Sequence, residues 1–155
     1  MQIGTEQIRE LRERTGAGIM DCKRALEEHS GDVDKAENTL RDKGIAKAGS
    51  KVGRATSEGL VGSYIHAGGR VGAMIEINCE TDFVARTSEF QELVHNVAMQ
   101  IAAMAPRYLN KDELPSDSEA SPQEACLLEQ PFIKDPSKSV SDLVLEVAAK
   151  VGENV

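Results

Sequence analysis

From Gly59 onward the apolar residues of this chain stop recurring every three or four positions and begin to alternate, which divides the sequence into two kinds of structure. The stretch GLVGSYIHAGGRVGAMIEINC, Gly59 to Cys79, holds two alternating runs around Gly68-Gly69, a pair able to take the positive φ of a two-residue hairpin turn. In the second run Val71, Ala73, Ile75 and Ile77 share one face, while Gly72, Met74, Glu76 and Asn78 share the other. One side of the hairpin is therefore covered and the other at least partly wet.

The cover is legible further along. Ser88 with Gln91 reads as a capping box, and Phe90, Leu93, Val94, Val97, Ala98, Ile101, Ala102 and Ala105 then repeat at helical spacing until Pro106. A second helix follows Ser139, with Val140, Leu143, Val144, Val147, Ala148 and Val151 on one face and Gly152 as its stop. Between them residues 107–138 read as a surface excursion, broken only by a short helix that SPQE, Ser121 to Glu124, starts with a cap and a proline at the first helical position.

Before Gly59 the period is helical and the elements are short. Thr5 is placed to cap a first helix through Ile8 and Leu11, which TGAG, Thr15 to Gly18, ends. Ile19, Met20, Cys22, Ala25 and Leu26 form a second, and Asp32 caps a third whose Val33, Ala36 and Leu40 share a face until Lys43-Gly44. Helices this short must pack on one another, so residues 1–44 read as a three-helix module. Residues 45–57, rich in Gly, Ala, Ser and Lys, read as a linker, and 58–155 as an α+β core in which helices cover one face of an antiparallel sheet.

Charge and composition narrow the function. The net charge is -8, but residues 1–57 carry 11 basic and 10 acidic residues whereas 58–155 carry 7 and 16. A core that negative repels phosphate backbones, which argues against direct nucleic-acid binding. The local basic run of Lys43, Lys47, Lys51 and Arg54 reads as part of the solvated linker. Three widely spaced cysteines, Cys22, Cys79 and Cys126, with no CxxC, fit a reducing, cytoplasmic compartment, and Cys22 and Cys79 fall on apolar faces as small buried hydrophobes. No apolar run approaches the ~20 residues that span a bilayer, and no membrane association is expected.

Motifs for covalent chemistry are sparse. GGRVG lacks the Lys and Ser/Thr of a phosphate-binding loop, and His29, His66 and His95 have no second ligand at helical spacing, so no cofactor is expected. Glu76, Glu80 and Asp82 could gather at the strand end as a carboxylate metal site, which is the enzyme reading. The segment EINCETDFVART, Glu76 to Thr87, raises a different question. Phe83, one of three Phe in the chain, lies on the connection between hairpin and helix, either tucked beneath that helix or offered outward beside Asp82 as an interface anchor.

Two segments, IRELRERTGAGIMDCKRALEEHSGDVDKA (Ile8 to Ala36) and EINCETDFVAR (Glu76 to Arg86), resemble the elongation factor Ts family, one in each module and in the family's order. QPFIKDPSKSV (Gln130 to Val140) and AAKVGEN (Ala148 to Asn154) resemble it as well, so the similarity covers essentially the whole chain. The resemblance implies an N-terminal ubiquitin-associated-like bundle, an α+β core, and guanine-nucleotide exchange on translation elongation factor Tu without covalent chemistry. It implies that Thr81, Asp82, Phe83 and Val84 reach the partner's nucleotide domain, with Asp82 and Phe83 wedging near the Mg²⁺ and phosphate surroundings of GDP. On the helical module Leu11, Ile19 and Met20 are the expected contributors. Short members are expected to pair as homodimers, and the core here is expected to lack the family's C-terminal strand. A competing reading makes the N-terminal module a ubiquitin reader through Ile19, Met20 and Leu40.

Overall fold

A computed structural model describes residues 3–155. Its first three helices are α1 (Thr5–Thr15), α2 (Ile19–Glu28) and α3 (Val33–Gly49). Leu11, Cys22, Ala25, Leu26 and Ala36 form their common core, with Ile8, Val33 and Leu40 packed around it. Asp32 caps α3 as expected, its carboxylate accepting from the Lys35 amide at 3.1 Å. The cap of α1 is Gly4 rather than Thr5, and the Gln7 side chain accepts from the Gly4 amide at 3.1 Å.

The largest departure from the sequence reading is in α3, which does not stop at Lys43-Gly44 but continues to Gly49. Gly44 acts here as a contact surface. A Cβ at that position would stand 3.3 Å from the Cβ of Ala149, so two helix backbones cross closely where both residues are small. Its partner is α7 (Val140–Val151), and Ala48 is buried one turn further along α3. Burial against the core outweighs the helix-breaking tendency of glycine, and only residues 50–57 of the expected linker lack regular structure. The basic run is not simply solvated either. Lys43 pairs with Glu28, Lys51 donates to the Gly152 carbonyl, and Arg54 pairs with Glu80.

The hairpin is β1 (Glu58–Ile65) and β2 (Gly72–Cys79), antiparallel with Gly62 opposite Ile75 and Tyr64 opposite Ala73. Gly68 and Gly69 both take positive φ, but the connection spans more than two residues, because the Gly69 amide bonds the His66 carbonyl and the His66 amide bonds that of Val71. Ile75 and Ile77 pack against α5 (Ser88–Met104), through Phe90, Leu93, Val94 and Val97. On the far face Val61, Ile65 and Met74 are exposed. The cap of α5 is Thr87, one residue before the expected Ser88, with its hydroxyl accepting from the Phe90 amide at 3.3 Å. Helix α7 packs on α5 as well, and its Ser139 cap and Gly152 stop fall where the sequence puts them.

Residues 105–139 fold back on α5 in an ordered path, where an excursion was expected. They comprise a 3-10 turn at Lys111–Glu113, α6 (Pro122–Ala125), a second 3-10 turn at Leu127–Glu129, and a small hairpin of β3 (Pro131–Phe132) and β4 (Asp135–Ser139). Two buried amides hold this path. Gln100 Nε2 donates to Gln130 Oε1 at 3.1 Å and to the Pro131 carbonyl at 3.2 Å, Gln100 Oε1 accepts from the Ile133 amide at 2.9 Å, and Gln130 Nε2 donates to the Glu124 carbonyl at 3.0 Å. A buried amide left unpaired costs about 1–3 kcal/mol, so this network selects one path for the segment. The fold is α+β, with helices first and an antiparallel hairpin covered on one face after them. No helix among the described residues is long and apolar enough to cross a membrane.

Candidate functional site

The chain leaves β2 at the buried Cys79 and makes a single helical turn, α4 (Asp82–Ala85), before α5 begins. Successive residues on such a turn are rotated by ~100°, so when two neighbours face inward the residue before them must face out. Val84 and Ala85 are buried among Cys79, Phe90 and Val94, and Phe83 is accordingly 77% exposed. The question left open by periodicity is decided for an outward ring. Asp82 lies beside it, paired with the exposed Arg86 at 2.7 Å, an arrangement worth a few tenths of a kcal/mol that can exchange partners easily.

What fixes the base of this turn lies at the other end of the chain. One carboxylate oxygen of Glu153 accepts from the amides of Glu80 and Thr81, both at 3.0 Å, and the other accepts from the Thr81 hydroxyl at 2.6 Å. Thr81 Oγ1 in turn accepts from the Val84 amide at 3.4 Å, capping α4. The Asn154 amide donates to Glu80 Oε1 at 2.7 Å, its side chain donates to the Arg54 carbonyl at 2.9 Å, and Val155 packs into the core. Burial pushes the Cys79 thiol up, with the nearby Glu153 charge adding to the effect, and the thiol donates to the Thr81 carbonyl at 3.2 Å. Glu153 escaped sequence reasoning because its partners are 72 and 73 positions away and no local pattern links them.

On the helical module the expected residues separate. Leu11 is 0% exposed and belongs to the bundle core, so it supports the module without facing a partner. Ile19 and Met20 are 55% and 64% exposed at the start of α2, and Ile19 lines a shallow groove together with Ile8, Arg12 and Gly16. Leu40 packs against the bundle and is half-buried, where Ile19 and Met20 are exposed.

The carboxylate trio is not assembled. Glu76 is on the open face of the hairpin, Glu80 is held by Asn154 and Arg54, and Asp82 by Arg86. Among the described residues no cluster of three or more His, Cys, Asp or Glu could hold a metal ion. The histidines have neighbours instead: His29 bonds Thr39 at 2.7 Å, His66 bonds the Tyr64 hydroxyl at 3.0 Å, and His95 meets the Tyr64 ring edge-on.

An exposed aromatic ring on a turn that is anchored from below has the geometry an interface anchor requires. A model of the family described as Elongation factor TS matches residues 21–122. Elongation factor Ts of Syntrophomonas wolfei subsp. wolfei is 49% identical across 99% of this chain and 86% of its own length, and that of Carboxydothermus hydrogenoformans is 47% identical across 99% and 84%. Elongation factor Ts of Caldanaerobacter subterraneus subsp. tengcongensis is 46% identical across 99% and 92%. The chain belongs to the elongation factor Ts family, proteins of translation elongation. These alignments run over 183 positions against 155 residues, so at least 28 positions of each relative have no counterpart here, and roles transfer only through motifs that are present.

Proposed function

We propose that this chain is a guanine-nucleotide exchange factor for translation elongation factor Tu, and that it promotes GDP release by inserting the Phe83 ring near the partner's Mg²⁺ and phosphate site. The observation that carries the reading is the exposure of Phe83 on a turn whose Thr81-Asp82-Phe83-Val84 sequence matches the family motif. Within that motif the roles divide. Phe83 and Asp82 make the contacts, while Thr81 and Val84 hold the turn on the core.

The thermodynamics is linkage. A factor that binds nucleotide-free partner better than the GDP form weakens GDP by the same factor, and a contact made equally in both states accomplishes nothing. A ring that displaces packed groups discriminates between the two states, and Asp82 adds a directed hydrogen bond or like-charge pressure on the phosphates. No covalent step is involved. Ile19 and Met20 supply a second contact on the same body, raising affinity through effective concentration. The acidic core is directed to a protein, not to nucleic acid, and three buried free thiols fit the cytoplasm where elongation takes place.

The test is release of a fluorescent GDP from elongation factor Tu. Acceleration that rises with chain concentration supports the reading, and an unchanged release rate contradicts it. Pairing of two chains is part of the same reading, favoured by the exposed Val61, Ile65 and Met74 on the open face of the hairpin. Sedimentation velocity at micromolar concentration that finds only monomer would remove it.

A further inference from the structure

We infer that Glu153 is a positioning residue for Phe83, and that the strap Gly152–Val155 sets the direction in which the ring is offered; the inference rests on the exchange reading above. A single turn of four residues cannot hold its own orientation, because helix nucleation is unfavourable without outside contacts. Its inward side is fixed by Val84 and Ala85 in the core, but packing alone leaves the turn free to rock about that contact.

Three hydrogen bonds to one carboxylate remove that freedom. Glu153 takes the Glu80 and Thr81 amides and the Thr81 hydroxyl, and because the hydroxyl proton is committed to Glu153, the oxygen's lone pair is aimed at the Val84 amide. The first turn of α4 is thus wired through Thr81 to a residue beyond α7. The strap is itself anchored independently of Glu153, by Lys51 on the Gly152 carbonyl, by Asn154 on Glu80 and Arg54, and by Val155 in the core. Removing the Glu153 carboxylate therefore loosens the turn without detaching the strap.

The same strap continues a helix whose Ala149 abuts Gly44 of the N-terminal module. One element therefore braces both the base of the Phe83 turn and, at Gly16 and Gly44, the bundle that carries Ile19 and Met20, so the direction of Phe83 is set relative to them. A wedge held in its working direction binds without an ordering cost, and a wedge that samples many directions binds weakly in proportion.

The test combines amide hydrogen exchange by NMR with a double-mutant cycle in the GDP-release assay. In Glu153→Ala the amides of Glu80 and Thr81 should exchange about tenfold faster or more, with those of β1 and β2 unchanged. The acceleration of GDP release should drop by about tenfold, and Glu153→Ala should add nothing once Phe83 is already Ala, since it acts only through the ring. Thr81→Val, which keeps the shape and removes the hydroxyl, should reproduce the loss. Unchanged exchange at residues 80 and 81, or equal losses from Glu153→Ala in both backgrounds, would overturn the inference. If the parent chain does not accelerate release, the exchange reading fails by that result alone, and the amide measurement still decides whether Glu153 holds the turn.

Discussion

Phe83 and Phe90 lie on the same short stretch of chain at opposite extremes of exposure, the first 77% exposed and the second 0%. The core between hairpin and helices is built on Phe90, and nothing in the interior depends on the ring of Phe83. Phe90→Ala should lower the unfolding free energy by about 3–5 kcal/mol, and Phe83→Ala should leave it within about 0.5 kcal/mol. Urea denaturation of the two variants checks this. A large loss in Phe83→Ala would mean that the ring packs inward.

The docking of α3 on α7 should be sensitive at one position. With 3.3 Å between a Cβ at position 44 and that of Ala149, Gly44→Leu has no room, and overpacking of this kind costs about 1–3 kcal/mol unless the helices separate. Thermal unfolding should report lower stability for Gly44→Leu, and amide exchange should report lost protection around Ala149. Wild-type values in both would show that the helices do not touch there.

Acid should destabilise the fold through capping carboxylates. The Ser139 amide and hydroxyl hold the Asp142 carboxyl below the usual range, the Lys35 amide does the same for Asp32, and Glu89's own backbone amide, followed by the Lys150 ammonium, does so for Glu89. A folded-state pKa below the unfolded one contributes stability above the unfolded value, about 4, and that contribution is lost as pH falls through the folded value. Urea midpoints should be flat above about pH 5 and fall below about pH 4. Asp142→Asn should flatten part of that fall, and an unchanged slope would remove Asp142 from the account.

The cysteines should be silent in the folded state. All three are fully buried, and burial pushes the thiols of Cys79 and Cys126 up, away from the reactive thiolate. A thiol-reactive chromogenic disulfide at pH 8 should titrate none of them natively and all three in denaturant. Rapid labelling without denaturant would contradict the packing.

The sequence revealed what local chemistry encodes. Helical spacing gave the stripe from Phe90 to Ile101, alternation gave the inward face of β2, and Asp32, Ser121 and Ser139 announced three helix starts. It failed where a distant partner decides. Gly44 reads as a helix stop until Ala149 is beside it, and the buried bonds of Gln100 span 30 positions or more that no window covers. The proposed docking site was legible by a different route. The TDFV motif marked Phe83, geometry turned it outward, and the Glu153 clamp became visible only when both ends of the core were together.

The central claim is that one exposed ring loosens GDP from elongation factor Tu. Stopped-flow release of fluorescent GDP, with parent and Phe83→Ala at matched concentrations and equal folded fractions, tests it most directly. The account predicts clear acceleration by the parent and a loss of about tenfold or more in the variant, as expected for a central hot-spot aromatic. Equal acceleration by both would contradict it.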